Sequence, residues 1–440
     1  MQESFIRRQH RLRGGLKEAG RVAVLGFIAL VVVIGVQYLT RGTAVNHVRG
    51  VGSDGSPVSP HEPEFPSTVV MLTGAILLEG NHVEIALNGD GTYPRLWEDL
   101  RSAKRSITLQ LYYGQDGEMA RTLREILLER AAAGVRIFLL YDAFGARIPD
   151  EHRSTLEKAG VVVVPFRPIT LRSLYLSQNR SHVRGIVIDG RVGWTGGFGI
   201  DDKWLGDGQT NGSWRETNVR VEGPAVRQLQ AAFAAAWAEA TGVLFSGRVT
   251  GELQGASGVT AGLLYATPTM GSTSAERFLA MSIAAARKSL FITNAYFIPD
   301  DNLIALLLNA ASRGVDVRIL TAGPRTDVDV VRQAGRSRYE ELMAAGIRIY
   351  EWQPSTLHAK TFVIDERWST IGSINLDNRS LVLNDEATLM ILDQAVGQQM
   401  EAIFFNDLHH AEEIKLEEFR RRGWRSRMVE KMARQVAPVL

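Results

Sequence analysis

The feature that most constrains the fold of this chain is an internal repeat. The segment His358-Ala359-Lys360-Thr361-Phe362-Val363-Ile364-Asp365 recurs in altered form as His182-Val183-Arg184-Gly185-Ile186-Val187-Ile188-Asp189. Each copy reads His-x-basic-x4-Asp and is followed, at the same distance, by a turn of small residues, Gly372-Ser373-Ile374-Asn375 or Gly196-Gly197-Phe198-Gly199. A chain of 440 residues is long enough to hold two domains or one duplicated unit.

The segments that precede the two motifs repeat as well. In each half a helix precedes an apolar strand, a second helix ends at a glycine before the next strand, and a short helix and a third strand follow. The predicted strands are Ser106–Tyr113, Val135–Tyr141, Val161–Phe166, Ser289–Tyr296, Val315–Thr321 and Ile347–Trp352. This alternation predicts an α/β fold with parallel or mixed sheets. We expect the two halves to pack about a pseudo-twofold axis, with both histidines in one cleft.

Two histidines with paired cations suggest chemistry on a phosphate. Residues i and i+2 of a strand share a face, so His358 projects together with Lys360, and His182 with Arg184. A phosphodiester needs cationic donors around its oxygens, a nucleophile, and an acid for the leaving alkoxide. One histidine can be the nucleophile and the other the acid. A lone motif of this kind is usually incidental, but two copies at matching places favour a function.

Four carboxylates complete the set of candidate catalytic residues. Asp189 and Asp365 end the two motifs on the opposite strand face, which favours a structural role for them over a catalytic one. A catalytic histidine needs an acceptor on its second ring nitrogen. By position in the repeats, Glu216 follows the first motif and Glu386 the second, so each is the candidate acceptor for the histidine of its own half.

The small-residue turns supply the candidate substrate-binding positions. In the second turn, Ser373 and Asn375 offer hydrogen-bond donors to the phosphate pocket. In the first turn, Gly197 and Gly199 stand at these positions, so that half has lost two side-chain donors.

A metal site is the competing interpretation of the histidines. The sequence has no cysteine and no His-Glu-x-x-His. The adjacent His409 and His410 point in different directions on a helix. We expect neither a metal nor a cofactor.

The two ends of the chain suggest contact with a membrane. Residues 22–40 carry no charge and just span a bilayer, and most flanking basic residues precede them, which predicts an N-terminus in the cytoplasm and a catalytic part outside. A cleaved signal peptide is the alternative. In residues 420–434, seven basic residues accompany Trp424, Met428 and Met432 at a spacing of four, which predicts a basic amphipathic helix for an anionic bilayer surface. A helix packed on its own domain shows the same periodicity.

These observations divide the chain into five parts. They are a basic segment with a transmembrane anchor (1–40), a flexible Gly/Ser/Pro-rich linker (41–67), a first half (68–245), a second half (246–408) and the basic amphipathic C-terminal helix (409–440). The net charge of +2 does not indicate a nucleic-acid partner.

The motifs resemble the phospholipase D superfamily, and within it the chain is most similar to bacterial cardiolipin synthases. The resemblance covers roughly residues 85–440. Its most specific parts are the run from Gly372 to Ser380 that leads into Asn384-Asp385-Glu386, the segment Trp214-Arg215-Glu216-Thr217, and Tyr296-Phe297-Ile298-Pro299.

The resemblance implies two phospholipase D-like α-β-α sandwich halves and a metal-independent phosphatidyl transfer at the bacterial inner membrane. His182 attacks the lipid phosphodiester to form a phosphohistidine, and His358 protonates the leaving alcohol and then deprotonates the acceptor. In a synthase the acceptor is the headgroup hydroxyl of phosphatidylglycerol. In a hydrolytic phospholipase it is water, and the superfamily also contains nucleic-acid phosphodiesterases. The chain departs from the family in Arg184, which replaces a lysine, in the glycines of the first turn, and in having one predicted span where the family has two.

Overall fold

The structure is a computed structural model, and it describes most of the chain. The described residues are 21, 26, 44–50, 55–170, 173, 177–210, 212–245, 258–269, 271–435 and 437. The predicted anchor at 22–40 lies outside them, except for Gly26. Among the described residues, no helix is both long enough and apolar enough to span a bilayer.

A mixed sheet covered by helices forms the N-terminal half, which we define as β1 to α5. Its strands are β1 (Leu78–Leu87), β2 (Ser106–Leu111), β3 (Arg136–Asp142), β4 (Val162–Phe166), β5 (Gly185–Ile188), β6 (Val192–Gly196), β7 (Trp214–Arg215) and β8 (Thr217–Glu222). Its helices, numbered after α1 (Phe65–Thr73), are α2 (Asn88–Ser102), α3 (Glu118–Ala132), α4 (Asp150–Lys158) and α5 (Ala225–Thr241). The strand order is β1-β8-β6-β5-β2-β3-β4.

The C-terminal half, from β9 to α10, shows the same strand order. Its strands are β9 (Val259–Ala266), β10 (Ser289–Asn294), β11 (Asp316–Ala322), β12 (Arg348–Trp352), β13 (Thr356–Leu357), β14 (Lys360–Ile364), β15 (Trp368–Gly372) and β16 (Glu386–Leu392). Its helices are α6 (Ser274–Ala285), α7 (Asp301–Ser312), α8 (Asp329–Arg336), α9 (Tyr339–Ala344) and α10 (Gln394–Leu408). The order β9-β16-β15-β14-β10-β11-β12 matches the other half, and the predicted strands lie within one to two residues of these bounds.

The halves join through one sheet and one shared core. Strands β1 and β9 pair antiparallel, so that fifteen strands of the described chain form a continuous sheet. One hydrophobic core contains residues of both halves. Val219 and Leu229 belong to the N-terminal half, and Leu389 and Phe404 to the C-terminal half. Because this apolar surface is buried between the halves, their separation would expose it to water.

Short backbone contacts also cross between the halves next to the two motifs. Strands β7 and β13 pair parallel, with Leu357 opposite Arg215. The main-chain N–H of His358 donates to the carbonyl of Arg215 at 2.8 Å, and that of His182 donates to the carbonyl of Asp385 at 2.8 Å. Each histidine therefore has its backbone fixed by the opposite half.

The two motif aspartates hold the ends of the strands. Asp365 has a positive φ of 51°, and its carboxylate accepts the N–H groups of Arg287 (2.9 Å), Lys288 (2.7 Å) and Ser289 (2.9 Å). Asp189, with φ of 54°, accepts three N–H groups of residues 104–106 in the same way. Both carboxylates therefore lie at the far end of the strand from the histidines, in agreement with a structural role.

The prediction of a flexible linker over residues 41–67 is wrong for its described C-terminal part. Arg367 Nε donates to the carbonyl of Pro60 at 3.0 Å, and His61 Nε2 lies 3.1 Å from the carbonyl oxygen of Asp365. Helix α1 begins at Phe65, and the ring centroids of Phe65 and Trp368 lie 5.0 Å apart. The Gly, Ser and Pro content indicates a lack of regular secondary structure, and it does not exclude packing. Helix α1 thus packs on the C-terminal half, although it precedes the N-terminal half in sequence.

The C-terminal segment 409–440 was expected to be one helix, and it is not. Strand β17 (Ala411–Glu413) pairs with β12, and α11 (Leu416–Arg420) follows. Only α12 (Trp424–Gln435) has the predicted amphipathic pattern.

We predict that Asp365→Ala lowers the free energy of unfolding by about 2–4 kcal/mol. The substitution leaves three N–H groups without their acceptor and places alanine at a positive φ. Asp365→Asn should cost less, because asparagine keeps one acceptor oxygen and tolerates this conformation. Denaturant unfolding measures both. Equal stability of the alanine variant and the wild type would contradict the structural role.

Candidate active site

The candidate active site is a pocket between the two halves. It encloses about 560 Å³. Its lining includes Tyr112, His182, Arg184, Lys203 and Trp204 from the N-terminal half, and Tyr296, His358, Asn375, Asp377 and Arg379 from the C-terminal half. Both histidines line this one pocket, as expected from the sequence.

His182 is oriented by a carboxylate of the opposite half. Its Nδ1 lies 3.0 Å and 3.1 Å from the two carboxylate oxygens of Glu386. Glu386 also accepts the hydroxyl proton of Ser373 and lies 3.4 Å from Asn384 Nδ2. A carboxylate held in this way fixes the tautomer with the proton on Nδ1, so that Nε2 keeps its lone pair.

His358 is oriented in the same way from the other side. Its Nδ1 lies 2.6 Å from Oε2 of Glu216. Glu216 is fixed in turn by the Trp204 indole N–H at 3.3 Å and by the N–H of Thr217 at 3.0 Å. The sequence had assigned Glu216 and Glu386 to the histidines of their own halves, and that assignment is wrong. Each glutamate directly follows a residue whose carbonyl accepts the main-chain N–H of the opposite histidine, Arg215 before Glu216 and Asp385 before Glu386. Position in a repeat does not reveal such a long-range contact.

The basic residue of each motif, Arg184 or Lys360, contacts the main chain of the histidine in the same motif. Arg184 Nη1 donates to the carbonyl of His182 at 2.6 Å, and the ammonium of Lys360 donates to the carbonyl of His358. Arg184 also stacks over the Tyr112 ring at 5.0 Å, and Lys360 lies 5.9 Å from the Tyr296 ring centroid. Both cations are almost fully buried, so their charge acts on the pocket with little screening by solvent.

Burial governs the protonation of these groups. It lowers the pKa of both imidazoles well below the usual value, and the charges of Arg184 and Lys360 act in the same direction. Burial also lowers the pKa of Lys360 to about 7 and raises that of Glu386 to about 7. These shifts favour the neutral form of both histidines, the state that a nucleophile needs.

The predicted substrate-binding residues separate into two roles. Asn375 lines the pocket, and its Oδ1 accepts no hydrogen bond from the described residues. Ser373 does not offer its hydroxyl proton to a substrate as predicted, because that proton goes to Glu386. A Cβ on Gly197 would lie 2.5 Å and 2.6 Å from the carboxylate oxygens of Glu216, so this glycine leaves room for that carboxylate. Its binding of substrate stays a prediction. Ser373 and Gly197 thus both position a glutamate.

The glycines of the first turn also make room for an aromatic ring. A Cβ on Gly199 would lie 2.7 Å from the Trp204 ring. Trp204 replaces the missing serine hydroxyl, because its indole N–H donates to Glu216. The rings of Trp204 and Trp214 lie 5.4 Å and 5.0 Å from the His358 ring. The loss of two donors inferred from the sequence is therefore partly offset by tryptophan.

Sequence reasoning missed the aromatic and basic residues at the sides of the pocket. Tyr112 lies 4.8 Å from the His182 ring, and Tyr296 lies 6.3 Å from the His358 ring. Both tyrosines lie near the ends of corresponding predicted strands, although Tyr296 matches Tyr113 in the repeat and Tyr112 stands one residue earlier. This approximate match was the available signal. Lys203 and Arg379 also match, because each stands seven residues after the first glycine of its turn.

Among the described residues no cluster of metal ligands is present.

Several cardiolipin synthases are similar to this chain in sequence. The domain family "Cardiolipin synthase, PLD-like domain" matches residues 279–408. The cardiolipin synthase of Halalkalibacterium halodurans is 34% identical over 365 residues, which cover 82% of this chain and 72% of that protein. Cardiolipin synthase A of Pseudomonas fluorescens is 34% identical over 368 residues, which cover 82% and 76%. The chain belongs to the cardiolipin synthase family.

The fold comparison agrees with this family. The phosphatidylserine synthase of Haemophilus influenzae superposes with a TM-score of 0.66 at 16% identity, over 86% of this chain and 100% of that one. This superposition supports the fold, and the family model and the cardiolipin synthase relatives confirm the resemblance to the phospholipase D superfamily. The segment that matches the cardiolipin synthase domain contains His358, Lys360 and Glu386.

We predict that Gly197→Ala breaks the contact between His358 and Glu216. The added Cβ collides with both oxygens of the carboxylate, which must move. A short imidazole–carboxylate hydrogen bond gives a strongly downfield Nδ1 proton in the NMR spectrum, and we expect this resonance of His358 to disappear. Gly91→Ala is the matched control, because its Cβ has no neighbour closer than 3.8 Å. An unchanged resonance in Gly197→Ala would contradict the assigned contact.

Proposed function

We propose that the protein is a phosphatidyltransferase that forms cardiolipin and glycerol from two molecules of phosphatidylglycerol. The observation that carries the proposal is the pair of neutral histidines in one cationic pocket, each with Nδ1 held by a glutamate. This pair supplies a nucleophile and a proton carrier on one phosphate, and membership in the cardiolipin synthase family supports the substrate. The reaction requires no metal in this scheme.

In the first step, Nε2 of His182 attacks the phosphorus of the donor lipid. A P–N bond forms, the P–O bond to the headgroup glycerol breaks, and His358 gives its Nε2 proton to the leaving oxygen. Glu386 stabilises the positive charge that develops on the His182 ring. Arg184 and Lys360 stabilise the charge on the phosphate oxygens.

In the second step, the roles of the groups reverse. His358 takes the proton from a headgroup hydroxyl of a second phosphatidylglycerol, and the oxygen of that hydroxyl attacks the phosphorus. The P–N bond breaks and releases cardiolipin and neutral His182. Attack by water at this point would give phosphatidic acid.

The first step requires a protonated His358, although burial and nearby cations hold its pKa low. An anionic phosphodiester next to the ring opposes the effect of those cations and raises the pKa. Glu216 at 2.6 Å then stabilises the imidazolium. Binding of the substrate thus allows His358 to take up a proton from water and to act as the acid.

The two halves are proposed to be copies of one unit related by a pseudo-twofold axis. The matching strand orders and the reciprocal histidine–glutamate contacts support this relation. The predicted start of the first half at residue 68 needs adjustment, since α1 packs with the second half.

We also propose that the protein works at an anionic bilayer. On α12, Trp424, Met428 and Met432 are 68%, 48% and 64% exposed, whereas Glu430 is buried. The apolar stripe therefore faces away from the domain, among exposed basic residues, which supports a bilayer surface over packing on the protein. Ala433 packs with Val331, a residue that lines the active-site pocket, so this helix lies beside the pocket.

The direct test is the lipid product of the purified full-length protein. With phosphatidylglycerol we expect cardiolipin and glycerol in equal amounts. His182→Ala and His358→Ala should each lower the rate by at least about a thousandfold, since each histidine is needed in both steps. Release of phosphatidic acid alone would favour a hydrolytic phospholipase and contradict the synthase.

Contact of α12 with lipid is tested by photo-crosslinking. A photoreactive residue at position 428 of the membrane-bound protein should label phosphatidylglycerol, and high salt should weaken the labelling. Position 162 is the control, because Val162 is similarly exposed (43%) on strand β4. Equal labelling at the two positions would contradict the proposed surface.

The pH dependence of kcat/KM is expected to reflect the protonation of Lys360. With a pKa of about 7, its ammonium is charged below that pH. Because His358 must also gain a proton, kcat/KM already falls with rising pH, and loss of the Lys360 charge should make this fall steeper above about pH 7. Arginine stays charged throughout this range, so Lys360→Arg should move the basic limb upward, even if geometry lowers the maximum. Superimposable basic limbs would contradict the assignment.

A further inference from the structure

Lys203 occupies an unusual position at the side of the pocket. Its ammonium lies 3.8 Å from the Tyr113 ring centroid, 4.1 Å from that of Trp214 and 4.8 Å from that of Trp204. Its side chain is 23% exposed. Three rings thus hold this cation in a fixed place in the pocket wall.

The hydrogen-bonding capacity of this ammonium is unused. Asp201 Oδ2 is the nearest carboxylate oxygen, at 3.9 Å, which is beyond hydrogen-bond distance. Within the part of the chain that the structure describes, no group accepts a hydrogen bond from Nζ. An ammonium has three donors, and one that is mostly buried needs acceptors. The lysine is therefore suited to bind an anion that enters the pocket.

Lys203 lies on the side of His358. Two of its three rings, Trp204 and Trp214, also contact the His358 ring, and the charge of Lys203 acts on that imidazole. The residue at the matching repeat position, Arg379, acts instead on His182. Arg379 differs in being held, since it donates two hydrogen bonds to Gln178 at 3.2 Å and 2.9 Å.

We propose that Lys203 and its aromatic cage form a subsite for a second phosphate, that of the acceptor phosphatidylglycerol. The inference rests on the proposed function, in which the acceptor hydroxyl gives its proton to His358. The acceptor carries its own phosphate on the same glycerol, so this phosphate must lie near His358 while the hydroxyl reacts. Among the described cations that line the pocket, Arg184 and Arg379 donate hydrogen bonds to the protein and Lys203 does not. The subsite thereby favours lipid over water or free glycerol as acceptor.

A competition between two acceptors tests this subsite. Phosphatidylglycerol and radiolabelled glycerol are offered to the full-length enzyme. Transfer to the lipid gives cardiolipin, and transfer to glycerol gives labelled phosphatidylglycerol. Both products share the same first step, so their ratio reports the acceptor alone. We expect Lys203→Met to lower the ratio of cardiolipin to labelled phosphatidylglycerol at least about tenfold, the loss expected for a hydrogen bond to a charged group.

Two further variants separate charge from packing. Lys203→Arg keeps the cation and should keep the ratio within about threefold of wild type. Arg379→Met is the matched control at the other histidine, and it should slow both products by a similar factor. An unchanged ratio in Lys203→Met, or an equal fall in Arg379→Met, would overturn the subsite. Wild-type enzyme that forms neither product would instead contradict the proposed function.

A measurement on the wild type does not depend on the folding of any variant. Glycerol 3-phosphate and glycerol are compared as soluble acceptors for the phosphatidyl group. The subsite predicts a KM at least about tenfold lower for the phosphate-bearing alcohol, and equal KM values would overturn it.

Discussion

The structure depends on an exchange of histidine–glutamate contacts between its two halves. Glu386 of the C-terminal half holds His182, and Glu216 of the N-terminal half holds His358. All four side chains are almost completely buried. Separating the halves would break both contacts and open the pocket to water. The fold and the site are therefore stabilised by the same contacts, and neither half contains a complete site.

The exchange is symmetric, but the surroundings of the two histidines are not. Glu386 is held by a serine hydroxyl, whereas Glu216 is held by an indole N–H in the space left by two glycines. His358 lies against two tryptophans and near a lysine with free donors, and His182 lies against Tyr112. These differences allow one histidine to act as nucleophile and the other to exchange protons with alcohols that enter beside it.

Much of this architecture follows from local sequence. Strand periodicity and the glycines after helices were enough to predict the strands, because both reflect backbone preferences over a few residues. The alternation of side chains between the two faces of a strand predicted a structural role for Asp189 and Asp365. The contacts of Glu216 and Glu386 were assigned to the wrong histidines, because the choice between the two depends on how distant strands pair. The packing of residues 57–64 was missed for a related reason, since their composition shows only that they form neither helix nor strand.

The central claim is that each histidine is controlled by the glutamate of the opposite half. It is tested most directly by rapid-mixing kinetics with a p-nitrophenyl phosphodiester lipid, whose leaving group needs no proton. The account predicts that Glu386→Gln slows the burst of nitrophenolate, which reports attack by His182. It predicts that Glu216→Gln leaves this burst nearly intact but slows the release of the phosphatidyl group from the protein to an alcohol. The opposite assignment of the two effects, or the same effect from both variants, would contradict it.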